Sequence, residues 1–90
     1  MKNENKNSIE LNINNSSCIS KIKYNKDNKT LTIVFTSGET YDYMGIEEPI
    51  IEEWINNSIY NQNFSHGKFF NKNIKKKEYK YEHCNYFKYV

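Results

Sequence analysis

LTIVFTSGETYDYM, residues 31–44, is the stretch whose reading decides the fold. Leu31, Ile33 and Phe35 alternate with Thr32, Val34 and Thr36, the period-two pattern of a strand with one face turned inward. Ser37-Gly38 follows, and glycine supplies the positive φ that a tight hairpin turn requires. Thr40-Tyr41-Asp42-Tyr43-Met44 resumes the alternation and puts Tyr41 and Tyr43 on one face. Upstream, Ile19 to Tyr24 reads as another strand, with Ser20, Ile22 and Tyr24 together, and Asn25 to Lys29 is a turn cluster. Three strands joined by short turns make an antiparallel meander.

Downstream the period changes. Ile50, Ile51, Trp54, Ile55 and Ile59 fall on one side at helical spacing, and Glu52, Glu53, Asn56 and Asn57 on the other. Pro49 suits a first helical turn, and Glu47 and Glu48 sit where the helix dipole favours negative charge. The pattern predicts an amphipathic helix over residues 49–60 with Trp54 facing the Leu31, Ile33 and Phe35 side of the sheet. A short second helix or turn is expected over 68–76. The expected architecture is α+β: a three-stranded antiparallel meander covered by one main amphipathic helix, with a short second helix or turn and a Lys/Tyr-rich C-terminal segment. Residues 1–15, where only Ile9, Leu11 and Ile13 alternate, read as a flexible tail or an edge strand. Residues 16–76 form the domain, and 77–90 a C-terminal extension with the means to add a strand.

Ninety residues hold one small domain. A hydrophobic share of 37% is low, but 16% aromatics supply the large rings of a thin core and set the chain apart from a disordered one. No run approaches the roughly 18 apolar residues of a membrane span. The start, MKNENKNSIELNINN, lacks the apolar centre of a signal peptide, so the expected location is cytoplasmic. Two cysteines, Cys18 and Cys84, are too few for a disulfide scaffold. All thirteen basic residues are lysine, and the chain is rich in Asn, Lys, Ile, Tyr and Phe. That usage points to a low-GC genome, bacterial or viral, and makes chance the better source of the Asn-x-Ser/Thr triplets at Asn14, Asn15, Asn28, Asn56 and Asn63.

Several short pieces occur in a telling order: Ser16-Ser17-Cys18-Ile19, Ile22-x-Tyr24, Leu31-x-Ile33-x-Phe35-x-x-Gly38, Tyr41-x-Tyr43 and Ser65-x-Gly67-x-Phe69-Phe70-Asn71-x-x-Ile74. Together they resemble the KTSC domain, a module of about sixty residues found at the C-terminus of some lysyl-tRNA synthetases and as free-standing bacterial or phage proteins. The resemblance covers about residues 16–75 and centres on Tyr41 and Tyr43. The family usually reads Val-Pro soon after Tyr-x-Tyr, whereas here Gly45 to Glu48 displace Pro49; the link from Asn56 to Phe64 is longer, and flanking arginines are absent. The family's function is not established; the resemblance implies RNA binding.

Charge changes sign along the chain. Residues 46–64 hold four Glu and no Lys, and residues 65–90 hold seven Lys against two Glu. Lys68, Lys72, Lys75, Lys76, Lys77 and Lys80 attract phosphate, and Tyr79 and Tyr81 offer stacking faces. Codon usage and solubility explain the same lysines without a ligand. Tyr41 and Tyr43 suit base stacking or, equally, packing under the helix against Trp54 and Ile51. Ser65-His66-Gly67-Lys68 suits an anion contact or a turn that needs Gly67 for its backbone; it lacks the spacing of a P-loop. His66, His83, Cys18 and Cys84 have no metal-ligand spacing, and nothing orients a Cys–His nucleophile. No enzyme, metal or cofactor is expected. The leading expectation is a small nucleic-acid-binding module, RNA before DNA, of low sequence specificity, using Tyr41, Tyr43, Lys68, Lys72, Lys75, Lys76, Lys77 and Tyr79. The rival is a protein–protein module, a phage-encoded inhibitor of a host defence complex such as a CRISPR effector. There Glu47, Glu48, Glu52 and Glu53 would imitate phosphates, with a homodimer as a further partner arrangement.

Overall fold

A computed structural model describes residues 7–84. Its elements run β1 (Ser8–Asn12), β2 (Ile19–Asn25), β3 (Thr30–Phe35), β4 (Thr40–Tyr43), α1 (Glu48–Tyr60), α2 (His66–Asn73), a 3₁₀ turn (Lys75–Lys77) and β5 (Tyr81–Cys84). All five strands form one antiparallel sheet in sequence order. The expected three-stranded meander is therefore the middle of a larger sheet. β1 joins one edge through Ile9↔Tyr24 and Leu11↔Ile22, and β5 joins the other through Tyr41↔His83 and Tyr43↔Tyr81. The extension beyond Cys84 lies outside the described residues.

Local chemistry sets the turns. Asn25 Oδ1 accepts from the Asp27 N–H at 2.9 Å, Asn28 Oδ1 accepts from the Thr30 N–H at 3.2 Å, and Lys29 takes the left-handed conformation between them. Gly38 closes the next hairpin at φ 98°, where its N–H donates to Phe35 O at 2.9 Å. In β2, strict alternation fails at a bulge between Ile19 and Lys21. The extra residue, Ser20, donates its hydroxyl to Val34 O at 3.2 Å rather than entering the core. The bulge turns both Ile19 and Ile22 inward, each almost fully buried.

The inner sheet face carries Ile22, Tyr24, Leu31 and Ile33 against Ile46, Ile51, Trp54, Phe69 and Ile74. Tyr24 keeps its hydroxyl satisfied inside by donating to Ile46 O at 2.6 Å. The outer face is polar: Lys23 is exposed, and Thr32 donates to Asp42 across the β3–β4 pair. α1 spans one residue more than the period predicts and buries Ile51 and Trp54. Ile59 departs from the expected stripe: it is 61% exposed and Tyr60 81%, because the last turn of α1 runs beyond the core it covers. α2 begins at Ser65, whose Oγ accepts from the Lys68 N–H at 3.2 Å as an N-cap, and buries His66, Phe69 and Phe70. Among the described residues no helix is long and apolar enough to cross a membrane.

A ring-lined cleft beside a lysine face

The inner face of β4 and β5 is only partly covered. α2 and the 3₁₀ turn stand over it and leave a cleft of about 700 Å³. Phe35, Tyr41, Tyr43 and Tyr81 form the floor, Phe70 and Tyr79 rise on the helix side, and Cys18, Asn71, Lys75 and Glu78 supply the polar rim. The rings meet edge-on or tilted: Phe35–Phe70 and Tyr43–Phe70 at 5.6 Å, Tyr41–Tyr81 at 5.9 Å, Tyr43–Tyr81 at 5.5 Å. Alternation explains the floor, since Tyr41 and Tyr43 pair with the buried Ile33 and Leu31 and so share their face. Their ring partners are Phe35, Phe70, Tyr81 and His83, while Tyr43 also joins the buried core that holds Ile51 and Trp54. Tyr43 is closed over by Phe70, while Tyr41 stays half-exposed.

Burial raises the phenol of Tyr41, helped by the negative charge of Glu39 and the hydrogen bond to it; burial also raises that of Tyr43, with Tyr41 and Tyr81 adding to the shift. Both therefore keep their protons at neutral pH, and the cleft presents ring faces and hydroxyl donors.

Helical spacing distributes the lysines. Lys68 and Lys72, four apart, occupy the solvent side of α2, whereas Gly67 and Asn71 turn toward the cleft. Lys75 lies at the cleft rim, while Lys76 and Lys77 stand on the exposed 3₁₀ turn outside the lining. Among the described residues, none of Lys68, Lys72, Lys75, Lys76, Lys77 and Lys80 has an acidic group within ion-pair distance. At the other end three of the four described lysines are paired, Lys21 with Glu10 at 3.1 Å, Lys26 with Glu48 at 3.4 Å and Lys29 with Glu47 at 3.3 Å, and Lys23 is exposed without an ion pair. Of the four acidic candidates, Glu47 and Glu48 are thus engaged, and Glu52 and Glu53 are exposed on α1.

The Ser65-His66-Gly67 stretch differs from both sequence readings. His66 is buried and its Nδ1 accepts from Trp54 Nε1 at 2.8 Å, so it is a core acceptor that ties α2 to α1. Burial holds His66 below the usual histidine range. Gly67 is helical, and a Cβ there would stand 3.0 Å from Cys18 Sγ, so a side chain at this position needs Cys18 to give way. Among the described residues no three His, Cys, Asp or Glu side chains gather as a metal site.

Of the expected nucleic-acid residues, the fold brings Tyr41, Tyr43, Lys75 and Tyr79 to one cleft and sets the other lysines beside it. Phe35, Phe70, Glu78 and Tyr81 are among the further lining residues. Their sequence signal for a cleft is weak, because Phe35 and Phe70 read as core.

A family model described as the KTSC domain matches residues 15–79. A crystal structure of a KTSC domain protein from Yersinia pestis is similar to this chain, with a TM-score of 0.71 and 27% identity, covering 87% of this chain and 99% of that one. No curated protein matches the chain. The matched span contains the cleft from Cys18 to Tyr79, and β5 lies beyond it.

Proposed function

The chain belongs to the KTSC domain family, and from that premise we propose that it is a small nucleic-acid-binding module that takes single-stranded RNA across the ring-lined cleft. The observation that carries this reading is the segregation of ion pairs. Lys21, Lys26 and Lys29 at the hairpin end are paired with glutamates, leaving only Lys23 there, whereas all six lysines on and just after α2 are left without acidic partners among the described residues, beside a groove of aromatic faces. Such a patch holds a positive potential that phosphates relieve. Base stacking on exposed rings adds about 1–3 kcal/mol per base, and only an unpaired base offers its face. Charge supplies most of the affinity, and sequence preference is weak; the choice of RNA over DNA rests on the family resemblance.

Titration of a labelled single-stranded RNA by fluorescence anisotropy tests the reading. Lys75→Gln with Lys76→Gln and Lys77→Gln is expected to weaken binding and to lower the log–log salt slope by about 0.7 for each phosphate the protein no longer neutralises. No RNA affinity in the parent at low salt would end this reading.

A second reading keeps a protein partner. The outer side of α1 shows Glu52 and Glu53 beside the exposed Ile59 and Tyr60, a mixed acidic and apolar surface suited to a protein such as a host nucleoprotein or defence complex.

A further inference from the structure

The cleft has a shallower neighbour. Thr36, Ser37 and Glu39 line a recess of about 340 Å³ that shares Cys18, Phe35 and Tyr41 with the deep chamber, so the two make one groove with a waist at those three side chains. Lys75 and Glu78 both line the deep end, and Glu39 the shallow end.

The Glu39 carboxylate, about half exposed, lies beside Tyr41 and His83. Its Oε1 accepts from the Tyr41 hydroxyl at 3.4 Å and lies 3.8 Å from His83 Nε2. The His83 ring in turn stacks on Tyr41 with centroids 4.7 Å apart. A carboxylate beside a phosphate-binding face repels the backbone, and it lowers affinity unless a donor on the ligand meets it. Bases differ in that respect. Cytosine and adenine carry an exocyclic amino group, which a carboxylate accepts, while uracil offers a carbonyl oxygen at the same place, which a carboxylate repels.

The geometry points to a base-reading role for Glu39: a base stacked on the groove side of Tyr41, which His83 leaves open, donates its amino group to the Glu39 carboxylate, so that the groove prefers amino-bearing bases to uracil. This deepens the RNA-binding reading and rests on it. Tyr41 serves both chambers, so its position fixes the base that Glu39 meets.

Oligocytidine and oligouridine hexamers isolate the edge contact, because their rings are the same size. The parent is expected to bind the cytidine hexamer about tenfold more tightly by anisotropy. Glu39→Gln keeps an acceptor for the Tyr41 hydroxyl but presents both an acceptor and a donor to the base. In that variant the gap closes to about twofold or less, chiefly through tighter uridine binding. Equal parent affinities for the two hexamers would overturn the inference while leaving RNA binding in place. So would an equal gain for both hexamers in the variant, which would make Glu39 only a repulsive charge. If neither hexamer binds the parent at low salt, the RNA-binding reading falls and this inference with it.

Discussion

Acidification is expected to loosen the joint between the two helices, and His66 is the group responsible. Trp54 is fully buried and His66 is 3% exposed. The 2.8 Å bond requires an unprotonated Nδ1, so the neutral ring carries its proton on Nε2. Burial holds the folded His66 below its ordinary range, whereas the unfolded chain binds that proton near pH 6.5. The stability contributed is therefore complete above about pH 6.5 and is lost as pH falls toward the folded value. One proton gives a slope of at most about 1.4 kcal/mol per pH unit between those two values. For a domain whose total stability is on the order of 5–10 kcal/mol, each 1 kcal/mol so lost lowers the melting temperature by roughly 4–8 °C. Thermal melts between pH 8 and 5, followed by the fluorescence of the single tryptophan and by circular dichroism, measure it. His66→Gln keeps an acceptor that does not titrate and should flatten the profile. His66→Leu leaves the indole N–H unsatisfied and should cost about 1–3 kcal/mol at every pH. His83→Gln controls for the other histidine. A parent profile that is flat to pH 5, or a Gln variant that keeps the parent's slope, would refute the reasoning.

Gly67→Ala is expected to lower stability by about 1 kcal/mol, because the new methyl meets Cys18 Sγ at 3.0 Å; in a Cys18→Ala background the same change should be neutral or stabilising, the helix gaining up to about 1 kcal/mol over glycine. A double-mutant cycle with no coupling would show that Cys18 swings aside freely. Glu52→Lys with Glu53→Lys is expected to abolish capture of a host nucleoprotein complex in pull-down if α1 is the partner surface, and to leave RNA affinity unchanged or slightly higher. Loss of RNA binding by this swap would place the nucleic acid on α1 instead of α2.

Strand interiors are legible in the sequence, and pairings between strands are not. Leu31, Ile33 and Phe35 announce their face because alternation is a property of one segment. The edge positions of β1 and β5 are set by partners far away in sequence, and the polar residues between Ile9, Leu11 and Ile13 hide the strand among tail-like composition. Simple alternation turns Ser20 inward, wrongly, because a bulge exists only relative to a partner strand. The helical stripe takes in Ile59, also wrongly, because spacing gives a stripe's direction and says nothing of where the sheet beneath it ends. The cleft is the least visible feature, since its lining comes from separate segments: the loop at Cys18, the ends of β3 and β4, α2 with the 3₁₀ turn, and β5. Tyr41, Tyr43 and Lys75 stand out individually through their chemistry. Glu39 carries no such signal, being one charged residue in a hairpin turn.

The change of charge sign near Ser65 acquires a spatial meaning from the fold. α1 and α2 both contribute to the core under the inner sheet face, but they do different work there. α1 closes the core with Ile51 and Trp54, and the first residues of its acidic segment are spent on Lys26 and Lys29. α2 anchors through His66, Phe69 and Phe70, and turns Gly67, Asn71 and then Lys75 toward the cleft. Its outward lysines have no acidic group within ion-pair distance among the described residues, and α2 itself carries no acidic residue. The residue that fixes this joint, His66, is the neighbour of Gly67, which sets how closely α2 approaches Cys18 on the cleft's own rim. A shift of α2 therefore cannot change the core without changing the cleft. The spacing between Phe70 and Tyr43 that closes the cleft's inner end depends on the same contacts that bury Trp54.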